Sequence, residues 1–130
     1  MLDDRTTTTP LGTEESLALM SRSGLGRLVL TEGGLPAVHL VAFAFEGRDV
    51  VFPVARDSSL VRSLDGAVVA LQADHIDPET RTGWSGLLTG WAGRVTDPAT
   101  AARVAGGSAN GRLYFRISPE LVQGQRIGPR

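Results

Sequence analysis

Residues 67–96, AVVALQADHIDPETRTGWSGLLTGWAGRVT, constrain the fold more than any other part of the chain. Two β-rich arms flank a polar connector. The first arm, residues 67–76, is apolar at Val68, Val69, Ala70 and Leu71 and polar at Gln72, Asp74 and His75. The second arm, residues 83–95, carries both tryptophans, Trp84 and Trp91. Pro78 in the connector has no N–H to give to a ladder, so it interrupts any strand. An apolar run, a polar loop and a second apolar run read as a long hairpin with an elaborated turn. The rest of the chain is expected to pack on that hairpin.

The 130 residues are one domain's worth of chain, long enough to bury a core without disulfides or metal. Residues 1–12 read as a flexible N-terminal arm and residues 13–130 as the folded domain. Thr13, followed by Glu14 and Glu15, reads as a hydroxyl-capped helix start; Leu17 and Met20 form its apolar stripe, and Gly24 and Gly26 end it. Strands are expected over residues 27–31, 37–45, 50–54, 67–76, 83–95 and 113–117. The second of these is apolar on both faces and is expected to be covered on both. Gly33-Gly34 marks a turn. Asp57 or Ser58 caps a short helix over residues 58–64, and Asp97-Pro98 opens another over residues 99–105. Pro119 breaks the chain before a final extended segment at residues 121–127. About six strands, joined mostly by hairpins, suit a mainly-β (α+β) domain: a small antiparallel barrel with short helices at its ends.

Composition narrows the chemistry. With no cysteine, thiol catalysis, disulfides and thiolate metal sites are excluded. A net charge of −1 argues against a general nucleic-acid binder. No stretch has the length of a transmembrane helix, and the start, Met1-Leu2-Asp3-Asp4, is acidic where a signal peptide is basic. A soluble, cytoplasmic protein is expected. All 13 cationic side chains are arginine, so any phosphate site must use guanidinium forks, hydroxyls or backbone amides.

The tools for self-contained catalysis are sparse. His39, between Val38 and Leu40, reads as a satisfied strand histidine. His75, flanked by Asp74 and Asp77, reads as a polar strand end, because a metal site wants three or more ligands. No nucleophile elbow, zinc-protease helix or Walker loop is present, and Ser85 has no base near it in sequence. Trp84 and Trp91 are an odd number of residues apart, so on an unbroken strand they face opposite sides and at most one lines a given pocket.

The run Asp74-His75-Ile76-Asp77-Pro78-Glu79-Thr80-Arg81-Thr82-Gly83-Trp84-Ser85, followed by Gly90 and Val95-Thr96-Asp97, resembles the pyridoxamine 5′-phosphate oxidase-like, flavin-binding split-barrel proteins in their small actinobacterial form. The likeness extends from Gly26-Arg27-Leu28 to Gly124-Gln125-Arg126-Ile127. It implies a six-stranded split barrel, a homodimer, and flavin held in clefts between the subunits: FMN, or the deazaflavin F420. The family's Pro-Val-Asn-Tyr run is matched here by Leu40-Val41-Ala42-Phe43. Its Phe-Arg-Thr and Gly-Ser-Lys-Leu runs are matched by Phe52-Pro53-Val54 and Asp57-Ser58-Ser59-Leu60. Pro53, Val54 and Ser59 thus stand where the family has phosphate ligands. Each charge-assisted hydrogen bond contributes about 1.5–3 kcal/mol, so losing two weakens binding by about two to four orders of magnitude.

Carried onto this chain, the resemblance implies a ring held by the backbone of Val41, Ala42 and Phe43. It implies a phosphate tail near Val54, Arg56, Ser58 and Ser59, and Trp84 and Ser85 closing the pocket from a neighbouring strand. No catalytic acid or base and no metal is assigned. The expected activity is a flavin-dependent oxidoreductase. The alternative is a non-catalytic split-barrel module that has lost the flavin phosphate ligands and binds another small molecule or a protein. Apolar strands on both faces in so short a chain also imply association.

Overall fold

In the computed structural model, which describes residues 6–104 and 111–129, the central hairpin is β6 (Val68–Asp77) and β7 (Thr82–Arg94). Its antiparallel register runs from Val68↔Trp91 to Asp77↔Thr82. Asp77 closes the turn: its Oδ1 accepts the N–H groups of Glu79 and Thr80, and its carbonyl accepts that of Arg81.

Strand β8 (Arg112–Pro129) lies along the other side of β7. Two short segments were expected here, broken at Pro119; the strand instead passes through the proline. The ladder shifts register between Thr89 and Gly90, opposite Pro119, so the missing N–H falls where regular pairing is already interrupted. Gly90 makes this possible: a Cβ there would lie 2.0 Å from the Ser118 carbonyl oxygen.

The far edge of β8 is shared. Its first half pairs with β5 (Asp49–Ala55) and its second half with β1 (Thr6–Leu11), from Thr6↔Pro129 to Leu11↔Gly124. Residues 6–11 belong to the stretch expected to be a flexible arm. They form a strand because β5 leaves the second half of β8 unpaired, and a run of β-branched threonines suits that open edge.

On the other flank, β2 (Leu25–Glu32) pairs with β6 and with β3 (Leu35–Ala42). Gly33 and Gly34, at φ 56° and 82°, form the two-residue turn between β2 and β3. Residues 37–45 were expected to be one strand. The structure breaks them at Phe43 into β3 and β4 (Ala44–Glu46), which pairs with β5. The sheet order is β3-β2-β6-β7-β8-β5-β4, so β3 and β4 lie at opposite ends of it, yet one residue joins them. The sheet must therefore curl until its ends meet. The result is a split antiparallel barrel, with eight strands among the described residues rather than six.

Leu28, Leu71, Leu88, Phe52, Phe115 and Ile117 fill the barrel and are fully buried, with Phe52 and Phe115 stacked at 6.3 Å. Helix α1 (Thr13–Ser23) packs Leu17 and Met20 on this core, and α2 (Leu60–Leu64) packs Leu60 and Leu64. The N-cap of α1 is Gly12, with no side-chain cap bond, and not the Thr13 hydroxyl. Gly24 ends α1 at φ 69°, as its sequence suggested. Helix α3 (Pro98–Val104) begins as read: Asp97 accepts the Ala99 N–H at 3.1 Å and the Thr100 hydroxyl at 2.9 Å.

The outer face of β2, β3, β6 and β7 is open. Leu25, Val38, Leu40, Val68 and Trp91 are all exposed, Leu40 at 75%. The expectation that β3 is covered on both sides thus fails within one chain, because only the alternate face reaches the core.

Gly90→Ala is expected to lower stability by about 1–3 kcal/mol in urea denaturation, since the added methyl meets a backbone carbonyl with no room to turn away; an unchanged midpoint would contradict the tight crossing. A second outcome concerns pH. The Thr100 hydroxyl, then the Ala99 amide, holds the Asp97 carboxyl below its ordinary 3.8. A depressed folded value means stabilisation that is present above pH 3.8 and lost as pH falls through the depressed value. Asp97→Ala is therefore expected to reduce the denaturation midpoint near neutral pH, with the gap to wild type narrowing only below that point. A gap independent of pH would show that the carboxylate charge plays no part.

Candidate functional site

The seam where β3 passes to β4 is also where a cleft opens. In the β5–β8 ladder Pro53 lies opposite Tyr114, and Ala55 opposite Arg112. These residues point away from the core, which takes the alternate set Val54, Leu113 and Phe115. Ala42, Phe43 and Ala44 from the seam meet Pro53, Arg112 and Tyr114 around a cleft of about 220 Å³, and Val104 of α3 closes one side. The two alanines and the proline ring give it apolar lining, and Arg112 adds a cation. A flat ring bearing an anionic tail fits that donor set.

Arg112 and Tyr114 also line a second cleft, of about 180 Å³, with Arg56, Arg94, Thr96 and Asp97. The two clefts adjoin through these shared residues. Nearby cations are already committed: Arg103 donates to Glu46 at 2.7 Å, and Arg116 pairs with Asp49 at 3.3 Å. The hydrogen bond from Arg103 holds the Glu46 carboxyl below its ordinary value. That ion pair ties α3 to β4 beside the cleft.

The residues singled out from sequence separate into groups. Ala42 and Phe43 line the seam cleft, and Arg56 lines the adjoining one. Val41 and Val54 are buried in the core, so only their backbones are available to a ligand. Ser58 Oγ accepts the Leu60 N–H at 3.1 Å in the turn before α2, but the N-cap of α2 is the exposed Ser59, with no side-chain cap bond, and neither Asp57 nor Ser58. Trp84 and Trp91 do face opposite sides of β7: Trp84 is half-buried against the core and Trp91 is exposed. Trp84 lines a larger cleft of about 380 Å³ with Leu19, Arg22, Asp74 and His75, beside α1. Ser85 lies on the open sheet face near Gln72, lining a cleft with Gln123 and Gln125. Within one chain, Trp84 and Ser85 therefore do not close the cleft that holds Ala42 and Phe43.

Sequence reasoning passed over Ala44, Arg112 and Tyr114. Their one sequence signal is alternation in Arg112-Leu113-Tyr114-Phe115, and it becomes informative only once β8 is known to lie beside β5. The histidines serve the fold's polar edges. His39 Nε2 meets the Glu32 carboxylate at 2.9 Å across the β2–β3 hairpin. His75 is exposed, while Asp74 accepts from Gln72 and Arg27, and Asp77 holds its turn. Among the described residues no three metal-ligating side chains converge, and no helix is long and apolar enough to cross a membrane.

Known proteins share this architecture. The pyridoxamine 5′-phosphate oxidase family profile matches residues 12–126. An uncharacterized protein of Mycobacterium tuberculosis is 41% identical over 136 residues, spanning 90% of this chain and 84% of that protein. The FAD binding protein of Mycobacterium smegmatis superposes with a TM-score of 0.76 at 28% identity, covering 92% of this chain and 98% of that one. A FAD-binding protein of Mesorhizobium loti, at 16% identity, shares the fold with a TM-score of 0.82 over 95% of this chain and 98% of its own. The match over residues 12–126 and the curled sheet closed at Phe43 agree, and the chain belongs to the pyridoxamine 5′-phosphate oxidase family.

Proposed function

We propose that this chain is a flavin-nucleotide-binding protein that works as a homodimer, and that it is an oxidoreductase of the pyridoxamine-phosphate-oxidase-like class. The seam cleft carries this reading: an apolar lining of Ala42, Ala44 and Pro53 with the cation of Arg112 suits a planar ring with an anionic tail. FMN, F420 and, because two structural relatives are FAD-binding proteins, FAD are the candidate cofactors.

Two observations support the homodimer. The cleft, at about 220 Å³, is below the range of about 300–1,000 Å³ typical of small-molecule sites, which suits a site that a second chain completes. The outer face of β2, β3, β6 and β7 exposes Leu25, Val38, Leu40, Val68 and Trp91, large apolar side chains that a second copy would cover. A second copy on this face brings its own Ser85 and Gln125 toward the shared interface, which gives the family-matched Ser85 a role that it lacks in the single chain.

When bound, the flavin or deazaflavin ring supplies the hydride-transfer chemistry. The protein's part is to hold the ring on the backbone and small side chains at Ala42, Phe43 and Ala44, and to exclude water with Tyr114 and Val104. Arg56, Ser59 and the amide end at Ser58 are the loop elements nearest a phosphate tail in the family's motif. The alternative, a module that binds a small molecule without turnover, draws support from Pro53 and Ser59 at the family's phosphate-ligand positions and from the core location of the Val54 side chain.

Titration of the protein with FMN, FAD and F420 is expected to quench flavin or deazaflavin fluorescence for at least one of them. No quenching by any of the three up to about 100 μM, a weak-binding limit, would overturn the flavin reading. Sedimentation is expected to give a dimer. Leu40→Asp, which sets a charge at the most exposed apolar side chain of this face, is expected to give monomers and to weaken flavin binding in parallel. A monomeric wild type would overturn the shared-cleft geometry.

A further inference from the structure

Three arginines line the second cleft without an ion-pair partner of their own. Arg27, Arg48, Arg103, Arg116 and Arg126 each pair with an acidic side chain. Arg56, Arg94 and Arg112 form no side-chain hydrogen bond or ion pair among the described residues, and all three line one cleft of about 180 Å³. Like charges gathered in this way repel, and a chain gains nothing from the arrangement unless an anion joins it. The one carboxylate in the lining, Asp97, is already engaged by the Ala99 amide and the Thr100 hydroxyl. The lining thus carries three arginines against one carboxylate; Asp65, whose Oδ1 accepts the Arg94 backbone N–H at 3.3 Å, and Asp57, next to Arg56, lie outside it. That excess of cations suits an anionic phosphoryl group, and guanidinium forks match its oxygens two at a time.

The arginines come from three separate elements. Arg94 ends β7, Arg112 begins β8, and Arg56 follows β5. No sequence motif links them. Arg112 and Tyr114 join this cleft to the seam cleft, so an anion held here sits at the end of whatever lies against Ala42 and Pro53.

We infer that Arg94 and Arg112, with Arg56, form a relocated phosphoryl site that holds the phosphate or diphosphate tail of the cofactor. The inference rests on the flavin reading for the identity of the ligand, but not for the existence of the site. Pro53 and Ser59 stand where the family's cation ligands do, and Ser58 Oγ is spent on the Leu60 amide. The positive charge is restored from the neighbouring strands: Arg112 sits two residues along β8 from Pro53's partner Tyr114, on the same face of the strand.

The test uses the full chain and four probes: FMN, FAD, riboflavin and inorganic pyrophosphate. Arg112→Ala and Arg94→Ala are each expected to weaken FMN or FAD binding about 10- to 100-fold while leaving riboflavin within about twofold. Pyrophosphate, followed by calorimetry, is expected to bind wild type and to lose affinity in the same variants. Arg62→Ala, an exposed arginine on α2 outside the cleft, is the control for nonspecific charge and is expected to change nothing. All the substituted arginines are exposed, so folding is expected to survive; unchanged circular dichroism and denaturation midpoints check this. If pyrophosphate binds through Arg94 and Arg112 but no flavin binds, the anion site stands and the flavin reading falls. If FMN or FAD binds equally well to wild type and to both variants, the flavin reading stands and the relocated site falls. Pyrophosphate binding that is absent from wild type, or equally weakened by Arg62→Ala, also overturns the site.

Discussion

One residue, Phe43, joins two strands at opposite ends of the sheet order, and the architecture depends on that short link. A flat sheet of this order would separate β3 from β4 by its full width. The chain allows no such separation, so the sheet rolls until β3 approaches β5. Phe43 is held at the crossing from both sides. Its N–H donates to the Gly24 carbonyl at 2.9 Å, and its ring is buried edge-on to Phe45. Gly26 is part of the same arrangement, because a Cβ there would lie 3.1 Å from the Phe43 ring and 2.8 Å from the Gln72 carbonyl oxygen. Closing the barrel and opening the seam cleft are therefore one event: the residues that turn the corner also line the cleft.

The long strand β8 supports that closure. It pairs with β7 on one edge and with β5 and then β1 on the other, so it ties most of the sheet together. The register shift at Gly90 and Pro119 divides its two halves. The first half faces β5 and supplies Leu113, Phe115 and Ile117 to the core and Arg112 and Tyr114 to the clefts. The second half carries Gln123 and Gln125 to the open sheet face. One strand thus contributes to the core, to the site and to the surface proposed to meet a second copy.

Electrostatics divide the arginines by task. Those at the rim of the barrel are neutralised by nearby carboxylates and fasten one element to another: Arg126 to Glu15 of α1, and Arg103 of α3 to Glu46 of β4. Exposed pairs of this kind contribute little stability each. Their value here is positional, since they use up the acidic partners near the seam. Three of the arginines left without an acidic partner, Arg56, Arg94 and Arg112, line one cleft with Tyr114.

Much of the fold was legible in the sequence, because its signals are local. Alternation in residues 67–76 and 83–95, the Gly33-Gly34 turn, Gly24 at the end of α1 and Asp97-Pro98 at the start of α3 each act over a few residues, and each is found where it was read. The motif from Asp74 to Ser85 was sufficient to indicate the family. Other features depended on which strands become neighbours. Residues 6–11 carry no apolar pattern, and only the vacant edge of β8 makes them a strand. Residues 37–45 look continuous, and only the need to reach β5 breaks them at Phe43. Arg56, Arg94 and Arg112 are scattered along the chain, and pairing of β5 and β7 with β8 is what assembles them. Periodicity and turn chemistry are properties of a segment, and the sequence determines them by itself. Cation clusters and cleft walls arise from register between distant segments, which only the closed barrel decides.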